Sequence, residues 1–320
     1  MINNLYFRQM ATALLTGAVV AFSILAIGKW TSSSFFYSNR VPLYDANTPV
    51  VISASLGTST VGPNVDEESA YPLTSPTTSS PQKPVPISAP SYLVVVLNAS
   101  TSFPEKILLE KNSFRAVSIA SLTKLATAVV AQNILDQNAA ITITSKILST
   151  YPNDPAGFRR GEQFKTAQLL YPLLMVSSND AAEALAQSYA PGRAWFIKAM
   201  NDWAYSIGAY NTFFADPSGL SPENISSPHD LAIILAWVAT HRPDLLTITQ
   251  TKVKYAGTHT WTSPTQLLNL TSYLGGKNGY LPEAGQTSVS LFHQNNHAYI
   301  VVVLGSKYRD QDILNLLQQI

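Results

Sequence analysis

Apolar and polar positions divide the 320-residue chain into three stretches. From Gln9 to Gly28 there is no charge, and Ala, Leu, Val, Ile and Phe dominate. Such a run is long enough to cross about 30 Å of hydrocarbon as a helix. From about Thr31 to Ala89 the chain is rich in Ser, Thr and Pro, and no period in it can bury a face. We expect a disordered or extended tether there. Its r.m.s. span, for about 60 flexible residues, is roughly 40–45 Å.

Folded structure is expected from Ser91 onward. Tyr92–Leu97 is a continuous apolar run of strand length, with a hairpin partner around Ile107–Leu109. Leu122, Leu125, Ala126, Val129 and Val130 recur at helical spacing and predict a helix from about Ser121 to Leu135. Residues 140–241 read as mostly helical, with a kink at Pro172 and a last helix opened by Ser227-Pro228-His229-Asp230. Strands follow at about Gly276–Leu281, Thr287–Phe292 and Ala298–Leu304, then a helix at Gln311–Gln319. Strands at both ends around a helical middle predict one sheet with a helical insert.

The N-terminal run carries the compartment. Arg8 precedes it and Lys29-Trp30 closes it. Ala26-Ile27-Gly28 offers a signal-peptide cleavage site, but the apolar run exceeds the usual signal core of about 7–15 residues. The expected organisation is therefore a cytoplasmic stub at 1–8, a membrane anchor at 9–28, a linker at 29–90 and an extracytoplasmic domain at 91–320. A net charge of +1 gives no footprint for nucleic acid. With no cysteine, disulfides and thiolate chemistry are excluded.

Three strings carry the chemistry: Ser121-Leu122-Thr123-Lys124, Ser177-Ser178-Asn179 and Lys277-Asn278-Gly279. Their order matches the S-x-x-K, S-x-N and K-T-G set of the serine acyl-transfer enzymes that penicillin acylates. S-x-x-K alone is weak, since Ser80-Pro81-Gln82-Lys83 in the linker matches it too. Ser121 and Lys124 differ by opening an apolar helix, three residues apart and opposite its stripe of Leu122, Leu125 and Val129.

A serine hydroxyl attacks only when a base takes its proton, and a lysine can serve if burial depresses its pKa. Ser121 is then the nucleophile and Lys124 its base. Ser177 can pass a proton to the leaving amine, and Asn179 can orient Lys124 and the substrate amide. Lys277 offers positive charge to a substrate carboxylate, and Gly279 lets substrate backbone approach. The backbone N–H groups of Ser121 and Tyr280 can face an oxyanion. His293 and His297 stand four apart but in an expected hairpin turn, so no metal site and no cofactor are assigned.

From Ser91 to Lys307 the chain resembles the D-alanyl-D-alanine carboxypeptidase family of low-molecular-mass penicillin-binding proteins. The resemblance rests on Ile119–Leu125, Gly161-Glu162, Ser178–Ala182, Ala199-Met200-Asn201, Asp216–Leu220, Lys277–Tyr280 and Pro282–Gly285. It implies the β-lactamase/transpeptidase-like α/β (α+β) fold, an antiparallel sheet flanked by helices with an all-helical subdomain. It also implies acylation of Ser121 by peptidoglycan stem peptides ending in D-Ala-D-Ala, and inhibition by β-lactams. Asn278 stands where that family usually has Thr. A D,D-endopeptidase of wall crosslinks and a non-catalytic wall-binding module stay open as alternatives.

Overall fold

The computed structural model describes residues 86–97, 104–148, 150 and 153–320. The expected anchor at Gln9–Gly28 and most of the linker lie outside the described residues. Among those described, no single helix is long and apolar enough to cross a membrane.

Five strands form one antiparallel sheet: β1 (Ser91–Leu97), β2 (Pro104–Lys111), β9 (Tyr273–Leu281), β10 (Gly285–Gln294) and β11 (His297–Ser306), in the order β2-β1-β11-β10-β9. Both ends of the domain therefore supply one sheet, as the strand–helix–strand pattern predicts. The runs in β1 and β11 are continuously apolar because both sheet faces are covered. Leu93, Val95, Ile300 and Val302 enter the larger core on the helical side. Val94, Val301 and Val303 alternate with them and meet Ile313 and Leu316 of the C-terminal helix. The folded contacts begin earlier than Ser91, since Ala89 is fully buried.

Along the chain, the helical insert falls between β2 and β9. It comprises α1 (Lys124–Ile134), α2 (Ser145–Leu148), α3 (Thr166–Met175), α4 (Asn179–Ser188), α5 (Arg193–Ser206), α6 (Pro228–His241) and α7 (Pro243–Thr249); α8 (Arg309–Leu317) closes the chain. Ser227 caps α6 by accepting from the Asp230 N–H at 3.1 Å, with Pro228 at the first helical position. Pro172 lies inside an uninterrupted α3. Short pairs β3 (Val117–Ser118) with β6 (Ile225–Ser226), and β4 (Ala140–Thr142) with β5 (Gln163–Lys165), tie the insert together. The hairpin of β7 (Val253–Ala256) and β8 (His259–Thr262) leads back towards β9. His293 and His297 fall at the β10–β11 hairpin, whose turn residues Asn295 and Asn296 both have positive φ.

Candidate active site

Ser121 sits in a single 3-10 turn, Ala120–Thr123, that runs into α1. Ala120 has φ +50°, a sparsely populated conformation for a residue with a Cβ. The turn is held by Thr123, whose hydroxyl donates to the Ala120 carbonyl at 2.9 Å, and by the Ile119 N–H to the Asn224 carbonyl at 3.0 Å. The sequence predicts a helix with an apolar stripe on one side and Ser121 and Lys124 on the other, able to face a cleft. The structure differs: every residue from Lys124 to Ala131 is buried, and Lys124 has no exposed surface. Its side chain instead reaches beneath Ser121.

The Lys124 ammonium meets three acceptors. Nζ lies 3.0 Å from Ser121 Oγ, 2.8 Å from Asn179 Oδ1 and 2.5 Å from the Ser218 carbonyl. Burial lowers its pKa to about 7, against the opposing pull of Asp154 and Asp216. A neutral amine has two N–H groups and one lone pair. The Ser218 carbonyl only accepts, and so does the Asn179 oxygen, so those two can occupy both N–H groups. The lone pair is then left for the Ser121 hydroxyl, which is the geometry of a general base.

Asn179 and Ser177 come from the junction between α3 and α4. Ser177 has φ +62°. Ser178 caps α4 by accepting from the Ala181 N–H at 2.9 Å and donates to Asp154 at 2.7 Å. Asp154 also accepts from the Asn179 and Asp180 N–H groups, at 2.6 and 3.1 Å. A carboxylate at a helix N-terminus satisfies donors the helix cannot. Asp154 thereby fixes the turn that presents Asn179, yet it carried no sequence signal beyond a turn-like Asn153-Asp154-Pro155. Asp180 beside it is buried, and its carboxyl is pushed up to about 7 by burial, then by Asp154 and Glu183.

The Ser218 carbonyl is placed by Asp216. That carboxylate accepts from the N–H groups of Ser218, Gly219 and Ser221, each at 2.6 Å, and from Asn224 Nδ2 at 2.9 Å. Burial works to raise the Asp216 pKa, but the hydrogen bonds from Ser221, Gly219 and Ser218 outweigh it and hold it below the usual value.

On the opposite wall, β9 is an edge strand of the sheet. The Gly276 N–H donates to Thr249 Oγ1 at 3.1 Å, and the Asn278 carbonyl accepts from Lys277 Nζ at 2.7 Å. Neither group is spent on β10. By strand alternation the Tyr280 N–H also points off this edge. Lys277 Nζ lies 3.0 Å from Ser177 Oγ. Burial, then Lys124 and Arg309, lowers the Lys277 pKa well below its usual value. Asn278 is locked from both sides: Nδ2 donates to Thr265 Oγ1 at 3.1 Å, and Oδ1 accepts from Ser288 Oγ at 2.9 Å.

Gly279 packs against the turn that carries Ser121. A Cβ there would stand 2.7 Å from Thr287 Oγ1, 2.8 Å from the Ser121 nitrogen and 3.1 Å from Ala120 Cβ. The bare α-carbon makes room for the Ser121 backbone, and Gly279 also lines the cleft.

The three strings surround one cleft of about 400 Å³. It contains Ser121, Ser177, Asn179 and the β9 segment, with Pro155 and Leu220 on its walls. Thr265 and Arg309 also line it and were not singled out from the sequence. Among the described residues, no group of three His, Asp or Glu side chains is placed to hold a metal ion.

Comparison with known proteins agrees with this geometry. A family model described as D-alanyl-D-alanine carboxypeptidase matches residues 77–308. A D-alanyl-D-alanine endopeptidase of Pseudomonas aeruginosa is 37% identical over 134 residues, covering 41% of this chain and 42% of the relative. A D-alanyl-D-alanine endopeptidase of Escherichia coli K12 is 31% identical over 212 residues, covering 64% of this chain and 65% of the relative. The matched region thus spans less than two thirds of either relative's length. The Streptomyces K15 DD-transpeptidase crystal structure superposes with a TM-score of 0.67 at 26% identity, covering 74% of this chain and 98% of that one.

Proposed function

The chain belongs to the D-alanyl-D-alanine carboxypeptidase family, and from that premise and the cleft we propose a serine-type D-Ala-D-Ala carboxypeptidase acting on peptidoglycan stem peptides. The observation that carries this reading is the fully buried Lys124, 3.0 Å from Ser121 Oγ with a pKa near 7.

Lys124 Nζ takes the Ser121 proton as Oγ attacks the carbonyl carbon of the penultimate D-Ala. The oxyanion is met by the N–H groups of Ser121 and Tyr280. The C–N bond breaks, the proton passes to the departing amine through Lys124 or Ser177, and terminal D-Ala leaves. Water then adds to the ester, its proton returns to Ser121 Oγ, and the shortened peptide is released. The substrate carboxylate lies between Lys277 and Arg309. Arg309 is the permanently charged member of that pair, and an arriving carboxylate favours the protonated form of Lys277.

A penicillin presents a carboxylate and a strained amide to the same groups, so it acylates Ser121. A second reading, D,D-endopeptidase, uses the same steps on a crosslink; the two relatives above carry that name. Incubation with a pentapeptide ending in D-Ala-D-Ala and with a crosslinked muropeptide dimer separates them. Free D-Ala from the pentapeptide supports the first reading, and monomers from the dimer alone support the second. Neither product would overturn both.

Asn278 makes a further prediction. A Thr oxygen cannot replace both amide hydrogen bonds, so Asn278→Thr frees the wall at Thr265. Losing about 0.5–1.5 kcal/mol of hydrogen bonding lowers kcat/KM for the preferred peptide by roughly 2–12-fold. Steady-state kinetics on both proteins check this, and an unchanged or higher value shows that the site does not depend on Asn.

Anchoring through Gln9–Gly28, with the catalytic domain outside the cell membrane, belongs to the same proposal. Retention in the membrane fraction with an intact N-terminus is the expected result. A soluble chain starting after Gly28 would replace the anchor with a cleaved leader.

A further inference from the structure

The segment read as the end of the linker is built into the start of α8, outside the cleft. Asp312, buried in the first turns of α8, accepts from the Ser88 N–H at 2.8 Å, the Ser88 hydroxyl at 2.7 Å and the Ala89 N–H at 3.0 Å. It also accepts from the Ser306 hydroxyl at 2.6 Å. Ser88 Oγ in turn accepts from the Lys307 and Tyr308 N–H groups, at 3.2 and 3.3 Å. One hydroxyl therefore joins the incoming chain, the β11–α8 turn and the first turns of the helix.

The residue that follows this turn is Arg309. Its backbone N–H donates to Gln286 Oε1 at 3.0 Å, and Gln286 is the β10 partner of Tyr280. Arg309 lines the cleft, and its charge is felt at Lys277. Its guanidinium is held by Asp310, to whose Oδ1 Nε donates at 2.8 Å, and both residues belong to the helix start that Ser88 and Asp312 tie down.

We propose that Ser88, although outside the cleft, is a positioning residue for recognition of the substrate's terminal carboxylate, acting through Asp312 and the start of α8 on Arg309. The inference rests on the proposed acylation chemistry. Geometry is the reason to expect a measurable effect: a displacement of about 1 Å at a recognition group can cost up to roughly 10²-fold in rate. Removing a neutral hydroxyl that links three segments should cost less, about tenfold on the same scale.

The test uses the full chain and two probes, a labelled penicillin with a free carboxylate and the same compound as its methyl ester. Second-order acylation rates are measured for wild type, Ser88→Ala, Ser88→Thr and Asp312→Asn, with thermal melting of each. Ser88→Ala should acylate about tenfold more slowly with the acid and less than about twofold more slowly with the ester. Ser88→Thr, which keeps the hydroxyl, should behave as wild type; Asp312→Asn should follow Ser88→Ala and serves if that variant does not fold. Equal losses with both probes, or none, overturn the positioning role and leave the proposed function standing. A wild type that neither probe acylates overturns the proposed function and this inference together.

Discussion

Replacing Lys124 by methionine is expected to slow acylation of Ser121 by about 10²–10⁴-fold, the usual contribution of a positioned general base. Methionine fills a similar space but offers no lone pair of comparable basicity. It also leaves the Ser218 carbonyl and Asn179 Oδ1 without their donor, which costs stability of about 1–3 kcal/mol for each group stranded. Lys124→Arg separates two explanations of the loss. A guanidinium restores charge and hydrogen bonds but does not give up its proton at neutral pH. If Lys124 acts as a base, the arginine variant stays slow; if it acts only as a charge, arginine rescues much of the rate.

The wild-type pH profile carries the same sign. Below a pKa of about 7 the third proton occupies the lone pair and the rate falls towards tenfold per pH unit; above it the rate levels off. A rate that is flat from about pH 5 to 9 would contradict the assignment.

Gly219→Ala is expected to damage both stability and acylation. Gly219 has φ +85°, and a Cβ there would stand 2.1 Å from the Ala120 carbonyl oxygen and 2.5 Å from its carbon. Both are backbone atoms, so no rotamer change relieves the clash. The Ala120–Ser121 turn and the Ser218 carbonyl that holds Lys124 must separate. A left-handed conformation and overpacking together destabilise by about 2–4 kcal/mol. Displacing the nucleophile from its base should lower acylation of the folded fraction by about 10²-fold. Urea unfolding and acylation rates normalised to folded protein measure the two effects. A folded variant acylating at the wild-type rate would show that this loop does not set the geometry.

These two positions also show what the sequence discloses. Ser121 and Lys124 are legible because a polar pair opening an apolar helix stands out against its neighbours. The burial of Lys124 was not legible. Ala126, Thr127, Ala128 and Ala131 are small enough to read as either face, and all are buried. The sheet strands could be placed because apolar runs such as Leu93–Val96 and Ile300–Leu304 are long and bounded. The β7–β8 hairpin is half exposed and too short for its pattern to stand out, although Gly257 marks its turn with φ +59°.

Asp154, Thr265 and Arg309 escaped for a different reason. Each acts through a partner far away in the chain: Asp154 on Asn179, Thr265 on Asn278 and Arg309 beside Lys277. Local pattern carries no trace of such pairings. The closeness of Gly279 to the Ser121 backbone was not legible either, since strand position alone does not say which backbone approaches it.

The nucleophile is the centre of this account. Incubation of the protein with a labelled penicillin, followed by proteolysis and mass spectrometry, tests it directly. The account predicts one covalent adduct, on the peptide containing Ser121, absent from Ser121→Ala and from no other serine variant that keeps Lys124 in place. A folded protein that binds the penicillin or muropeptides yet never forms an adduct, or forms it on another residue, would contradict the account.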